Sequence, residues 1–124
     1  MKRKVESDKA PKAIGPYSPA VVYCDYVFIS GQLGMDKDGN LKEGIEAQTR
    51  QALENVKALL ESAGGSMDNI VKVTIYTTDI SQFSKINEIY SEFFKEPYPA
   101  RAVIEVKALP KNALIEIEAI AIMD

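Results

Sequence analysis

Four charged side chains near the C-terminal end of the sequence have the types and spacing to work on a ligand: Arg101, Glu105, Glu116 and Glu118. A guanidinium forks onto a carboxylate, and a carboxylate set among apolar neighbours accepts or donates a proton at a strength its surroundings fix. The chain has no histidine. That removes Ser-His-Asp and Cys-His nucleophiles and the common zinc sites, and leaves proton transfer to carboxylates, Tyr, Lys or water.

The elements that must carry these charges are two alternating runs. Ala102, Ile104, Val106 and Ala108 alternate with Arg101, Val103, Glu105 and Lys107, and Ile115, Ile117, Ala119 and Ala121 alternate with Leu114, Glu116, Glu118, Ile120 and Ile122. Both read as β-strands, and Leu109-Pro110-Lys111-Asn112 between them reads as a hairpin turn. If Leu109 pairs with Asn112, all four charges project from one face, among Val103, Leu114, Ile120 and Ile122. In that register Glu116 lies opposite Glu105, four residues from Arg101, or roughly 13 Å along the strand. That is too far for both to hold one small ligand, so cooperation would join Arg101 of one chain to Glu116 of another. A one-residue change in the turn would send the charges to opposite faces.

Upstream, Lys2 to Lys12 are polar, with at most a short edge strand around Val5. Ala13-Ile14-Gly15-Pro16-Tyr17-Ser18-Pro19 is a stiff loop presenting Tyr17. Ala20 to Tyr23 and Tyr26 to Ser30 read as strands around a turn at Cys24-Asp25, the second ending in Ser30-Gly31-Gln32, where glycine permits close approach. Asp36-Lys37-Asp38-Gly39-Asn40 is a turn whose spacing lacks the closing Glu of a calcium loop. Ile45, Ala52, Leu53, Val56, Leu59, Leu60 and Ala63 mark a helix stopped by Gly64-Gly65. Ile70 to Thr78 is a β-branched strand. A second helix runs from about Ser81 to Phe94, capped by Asp79 or Ser81, with Phe83, Ile86, Ile89, Tyr90, Phe93 and Phe94 as its apolar content and Asn87 at the margin of that stripe.

This order gives an α+β fold, one sheet with two helices. Two helices cover one face only. The other face, expected to carry Val103, Ile120 and Ile122, would stay wet in a monomer, so a symmetric oligomer packing sheet on sheet is expected. At 124 residues the chain is read as one domain, 1–124. A net charge of -3 disfavours a nucleic-acid partner, which needs clustered Lys and Arg. No apolar run approaches the about 20 residues of a membrane helix, no signal-peptide core follows the charged N-terminus, and Cys24 has no partner for an internal disulfide; the reading is a cytoplasmic protein.

Several separated motifs, Ala13-Ile14-Gly15-Pro16-Tyr17, Ser30-Gly31-Gln32, Gln48 through Lys57, Asn87, Pro99-Ala100-Arg101 and Leu109-Pro110-Lys111 through Ala121, together resemble the RidA (YjgF) family of reactive-intermediate deaminases. The resemblance implies a chorismate-mutase-like fold, a mostly antiparallel six-stranded sheet with two helices on one face, assembling as a homotrimeric barrel with clefts between subunits. It implies hydrolysis of 2-imino acids such as 2-iminobutanoate and 2-iminopropanoate to 2-oxo acids and ammonia, with no metal and no bound cofactor. Arg101 matches the arginine that forks onto the substrate carboxylate, and Glu116 the carboxylate that positions or activates water. Tyr17, Ser30 and Asn87 match cleft-lining positions, and Gly31 offers its backbone. Where many members have a cysteine, this chain has Val103, a change of pocket shape more than of chemistry.

By spacing alone, Arg101 is better read as a structural ion pair with Glu105 or a neighbour's glutamate, and Glu116 as the polar half of a strand. The resemblance reverses both. A 2-oxo acid binding module without turnover, and RNA cleavage, stand as alternatives, the latter opposed by the acidic balance and the missing histidine.

Overall fold

The alternating runs fold into one six-stranded sheet, and the two helical periodicities into helices. A computed structural model describes all 124 residues. In chain order the elements are β1 (Arg3–Val5), β2 (Ala20–Tyr23), β3 (Tyr26–Leu33), α1 (Ile45–Ser62), β4 (Ile70–Thr77), α2 (Phe83–Tyr90), β5 (Ala100–Glu105) and β6 (Ile115–Ile122). The strand order is β1-β2-β3-β6-β4-β5. Every neighbouring pair is antiparallel except β4 and β5, which run parallel. The first helix stops where its sequence says, whereas α2 ends at Tyr90, short of the expected Phe94. Gly64, at φ 94°, follows α1, and Gly65 and Gly64 donate to the carbonyls of Leu60 and Glu61, closing a Schellman motif. Asp79 accepts from the Ser81 N–H at 3.0 Å and caps the 3₁₀ turn that leads into α2.

The hairpin expected between the last two strands does not form. Leu109 leads into a 3₁₀ turn at Pro110–Asn112, with Lys111 and Asn112 at φ 58° and 57°, and β4 inserts between β5 and β6. Two physical causes agree. Ile115, Ile117, Ala119 and Ala121 of β6 are all buried, which suits a central strand paired on both sides, whereas every residue of β5 keeps some exposure, as an edge strand does. The connection from β4 to β5 carries α2, and a helical crossover is what a parallel pair requires.

The corrected order changes the faces. Residues directly opposite share a face, and Arg101, Val103 and Glu105 lie opposite Val73, Ile75 and Thr77, which are buried. Glu116 and Glu118 lie opposite Tyr76 and Thr74, on the other side. The four charges therefore divide between two faces, and Val103 packs against the core rather than on the open face.

The core lies between the sheet and the helices. Helix α1 packs on β3 and β6, and its Leu53, Val56, Leu59 and Leu60 share one buried cluster with Val27 and Ile29 of β3, Val73 and Ile75 of β4, and the buried row of β6. Each fully buried aliphatic side chain contributes about 1.5–3 kcal/mol relative to exposure. On the opposite face Tyr26, Phe28 and Ile104 are each 44% exposed and Ile122 38%. No helix is long and apolar enough to cross a membrane.

Candidate functional site

Glu116 is placed by an irregularity in β3. Between Ile29 and Gln32 the register against β6 slips by one residue, so Ser30 and Gly31 form a bulge opposite the stretch from Ala119 to Ile117. The bulge is pinned to the Gly15–Pro19 loop: the Ser30 hydroxyl donates to the Ser18 carbonyl at 2.7 Å and its N–H to the Pro19 carbonyl at 2.9 Å. Gly31 needs its bare Cα because the Glu116 carboxylate occupies the place a Cβ would take. Tyr17, Ser30, Gly31, Leu33, Met35 and Glu116 line one cavity of about 510 Å³, with Lys12 and Lys111 among the remaining wall residues. Of the expected substrate-binding residues, then, Tyr17, Ser30 and Gly31 gather around Glu116.

The cavity raises the proton affinity of Glu116. Burial pushes its carboxyl above the usual range, the negative Glu118 two residues on adds to this, and neither a cation nor a hydrogen bond opposes them. Glu118 itself accepts from the Tyr76 hydroxyl at 3.2 Å. That phenol is raised as well, first by its burial and then by the carboxylate it contacts.

Arg101, Asn87 and Val103 form a second group at the β5 edge beneath α2. The Arg101 guanidinium lies 4.7 Å from the centroid of the Tyr90 ring and 5.5 Å from that of Phe83. Asn87 is half-buried on the same helix, one turn from each ring. The ion pair allowed between Arg101 and Glu105 is absent: Glu105 instead accepts from the Ile80 N–H at 2.8 Å, and none of the four salt bridges involves Arg101. Ladder geometry puts the Arg101 and Glu116 Cα atoms roughly 14 Å apart across β4, with their side chains on opposite faces. Within one chain the two cannot meet on a small ligand.

Compared with known proteins, residues 7–123 match the profile of the family described as Endoribonuclease L-PSP. The chain belongs to this family, RidA. A RutC family protein of Pyrococcus horikoshii is 51% identical over 98% of both chains. A human protein named 2-iminobutanoate/2-iminopropanoate deaminase is 45% identical, over 98% of this chain and 90% of the relative. A Thermotoga maritima crystal structure described as a putative endoribonuclease superposes with a TM-score of 0.96 at 51% identity, covering 100% of this chain and 99% of the other. The mixed six-stranded sheet with two helices is thus the RidA fold.

Several residues that shape the site had no stated role in the sequence. Asn55 of α1 donates to the carbonyls of Met35 at 2.8 Å and Leu33 at 3.3 Å, and Gln48 accepts from the Leu114 N–H at 2.8 Å while donating to the Lys42 carbonyl at 2.9 Å. These two amides fasten the end of β3 and the entry to β6, which flank Glu116. Their signal was a polar residue at a buried helical position; both side chains fall on the buried stripe of α1. Tyr90 and Phe83 were read only as apolar content of α2. No cluster of three or more His, Cys, Asp or Glu side chains is arranged to hold a metal ion.

Proposed function

We propose that this RidA protein, a single domain over residues 1–124, hydrolyses 2-imino acids to 2-oxo acids and ammonia at clefts between subunits of a homotrimer. One observation carries the reading. Arg101 makes no salt bridge to a carboxylate of its own chain and Glu116 none to a cation, and the two lie on opposite faces of one sheet. Each is half of a site that a second copy completes. The exposed Tyr26, Phe28, Ile104 and Ile122 on the face that bears Glu116 supply apolar surface for that contact, and the deaminase name of a human relative at 45% identity supports the chemistry.

In this mechanism Arg101 of one protomer forks onto the substrate carboxylate. Its iminium carbon sits in the neighbour's cavity beside Glu116, Ser30, Gly31 and Tyr17, with Asn87 and Val103 shaping the Arg101 side. A protonated imine is already electrophilic, so the step is addition of water. The water oxygen bonds to the C2 carbon, the C=N π pair moves to nitrogen, and Glu116 takes the proton the water loses. Glu116 then returns that proton to nitrogen, the C–N bond breaks as the C2 hydroxyl gives its own proton to Glu116 and closes to the carbonyl, and the departing ammonia carries that proton off as ammonium. A carboxyl whose proton affinity burial has raised suits both halves of this cycle. The substrate and the Glu116 carboxyl carry all the charge changes in this mechanism, which calls on no metal or cofactor. We place the protein in the cytoplasm, where 2-imino acids arise from amino-acid dehydration.

The test couples a threonine dehydratase to 2-oxobutanoate formation. Wild type speeds release of the oxo acid, while Arg101→Ala and Glu116→Ala do not; equal rates for all three defeat the proposal. Binding of 2-oxobutanoate with no change in imine lifetime selects a carboxylate-binding module instead. The family description names an endoribonuclease, but a net charge of -3 and the absence of histidine deprive this chain of the usual phosphate-binding and general-base groups.

A further inference from the structure

Arginines that bind anions are commonly held by an intrachain carboxylate, which competes with the ligand. Arg101 is held differently. No salt bridge includes Arg101: Glu105 on its own strand accepts from the Ile80 N–H, and Glu92, just past α2, holds Arg50 in a two-pronged ion pair at 2.8 and 3.1 Å. What remains against the guanidinium is aromatic, the Tyr90 ring at 4.7 Å and the Phe83 ring at 5.5 Å. Both distances lie within the about 6 Å over which a ring face attracts a cation. A ring face uses none of the five guanidinium N–H donors, so the fork stays available to an incoming carboxylate.

The two rings differ in support. Phe83 is 38% exposed, whereas Tyr90 is 6% exposed and backed by Phe94, whose ring centroid lies 4.4 Å away. Tyr90 is therefore the fixed wall and Phe83 the outer one. The Tyr90 hydroxyl is buried with no hydrogen-bond partner. A buried phenol ordinarily finds one, so the hydroxyl does not explain why an aromatic residue stands here; the ring under Arg101 does.

We propose that Tyr90 is a positioning residue for ligand binding: its ring, with Phe83, holds the Arg101 guanidinium in place without neutralising it, so that the fork is preorganised for a 2-imino or 2-oxo carboxylate. This rests on the reading of Arg101 as the carboxylate fork. It adds a determinant of affinity that never touches the ligand. Preorganisation of this kind acts on binding rather than on the bond-breaking step, so its loss raises KM and leaves kcat near the wild-type value.

The experiment measures 2-oxobutanoate binding by calorimetry, and KM and kcat with enzymatically generated 2-iminobutanoate, for wild type, Tyr90→Phe, Tyr90→Leu, Phe83→Leu and Arg101→Ala. Tyr90→Phe keeps the ring and should bind as wild type, with a melting temperature equal or higher. Tyr90→Leu should raise Kd and KM on the order of tenfold with kcat within about twofold, and should lose much of the preference for 2-oxobutanoate over its uncharged amide. Should Tyr90→Leu not fold, Phe83→Leu at its half-exposed position reads the same effect at smaller size. Wild-type binding by the folded leucine variants overturns the proposal, as does an equal loss in Tyr90→Phe, which would assign the effect to the hydroxyl. Arg101→Ala separates the two claims. If it binds 2-oxobutanoate as wild type does, the fork itself is misassigned; if it loses binding while the leucine variants keep it, only the role of Tyr90 fails.

Discussion

Arg101 and Glu116 project from opposite faces of the sheet with β4 between them, one toward the aromatic side of α2 and the other into the cavity behind the β3 bulge. No rotamer change brings them onto one ligand within a chain. Their separation is a consequence of strand order, and it makes the account depend on a second copy.

The first prediction concerns pH. Burial, and then Glu118, raise the Glu116 carboxyl, so the folded protein binds this proton more tightly than the unfolded chain does. By linkage, the fully favourable contribution is present below the ordinary glutamate value of about 4.3 and is lost as pH rises through the raised folded value. Glu116→Gln should remove that descending limb, which denaturant melts across pH 4 to 8 will read. Glu118→Gln removes the second cause only, and should move the acidic limb of the pH–rate profile to lower pH while keeping activity. An unmoved limb would show that Glu118 does not act on Glu116.

Gly31→Ala should be severe for activity and mild for folding. The Glu116 carboxylate occupies the space of the new methyl, and Gly31 does not need a left-handed backbone, so the side chain is what must give way. A loss of at least about a hundredfold in kcat/KM is expected, since even a 1 Å misplacement of a reacting group costs that much. Turnover and the melting temperature, measured together, check it; a large fall in melting temperature with kcat unchanged would count against the assignment.

Much of this was legible in the sequence, and the part that was not has a definite cause. Alternation in Ala100–Glu105 and Ile115–Ile122 revealed two strands and which residues share a face within each. Alternation says nothing about which strand lies beside which. Taking Pro110-Lys111-Asn112 for a hairpin paired Glu105 with Glu116, whereas the helical crossover through α2 puts β5 parallel to β4 and turns Arg101, Val103 and Glu105 toward the helices. Because a strand has period two, that single choice of neighbour moved three side chains to the other face. The family motifs mark Glu116, Ser30, Gly31 and Tyr17, and the bulge brings them to one cavity wall. The contact of Tyr90 with Arg101 carries no such mark, because its place in the apolar stripe of α2 looks the same whether a ring packs on aliphatic neighbours or on a guanidinium.

Asn55 tests the scaffold apart from the chemistry. Its amide serves the Leu33 and Met35 carbonyls, and Met35 is buried. Asn55→Ala leaves those acceptors unpaired and should cost about 1–3 kcal/mol, read as a lower denaturant midpoint at unchanged slope. Because the loop it fastens supplies Leu33 and Met35 to the cavity wall, KM should rise as well. A variant as stable as wild type would remove Asn55 from the account.

The most direct measurement mixes the two halves of the site. Arg101→Ala and Glu116→Ala protomers, each inactive, are co-refolded in equal amounts and assayed for 2-iminobutanoate hydrolysis. If each site takes its arginine from one copy and its glutamate from the next, random assembly restores about one quarter of the sites, and about that fraction of the wild-type rate returns. If both groups act within one chain, or if neither takes part in the reaction, mixing restores nothing beyond the parents, and the shared site is contradicted.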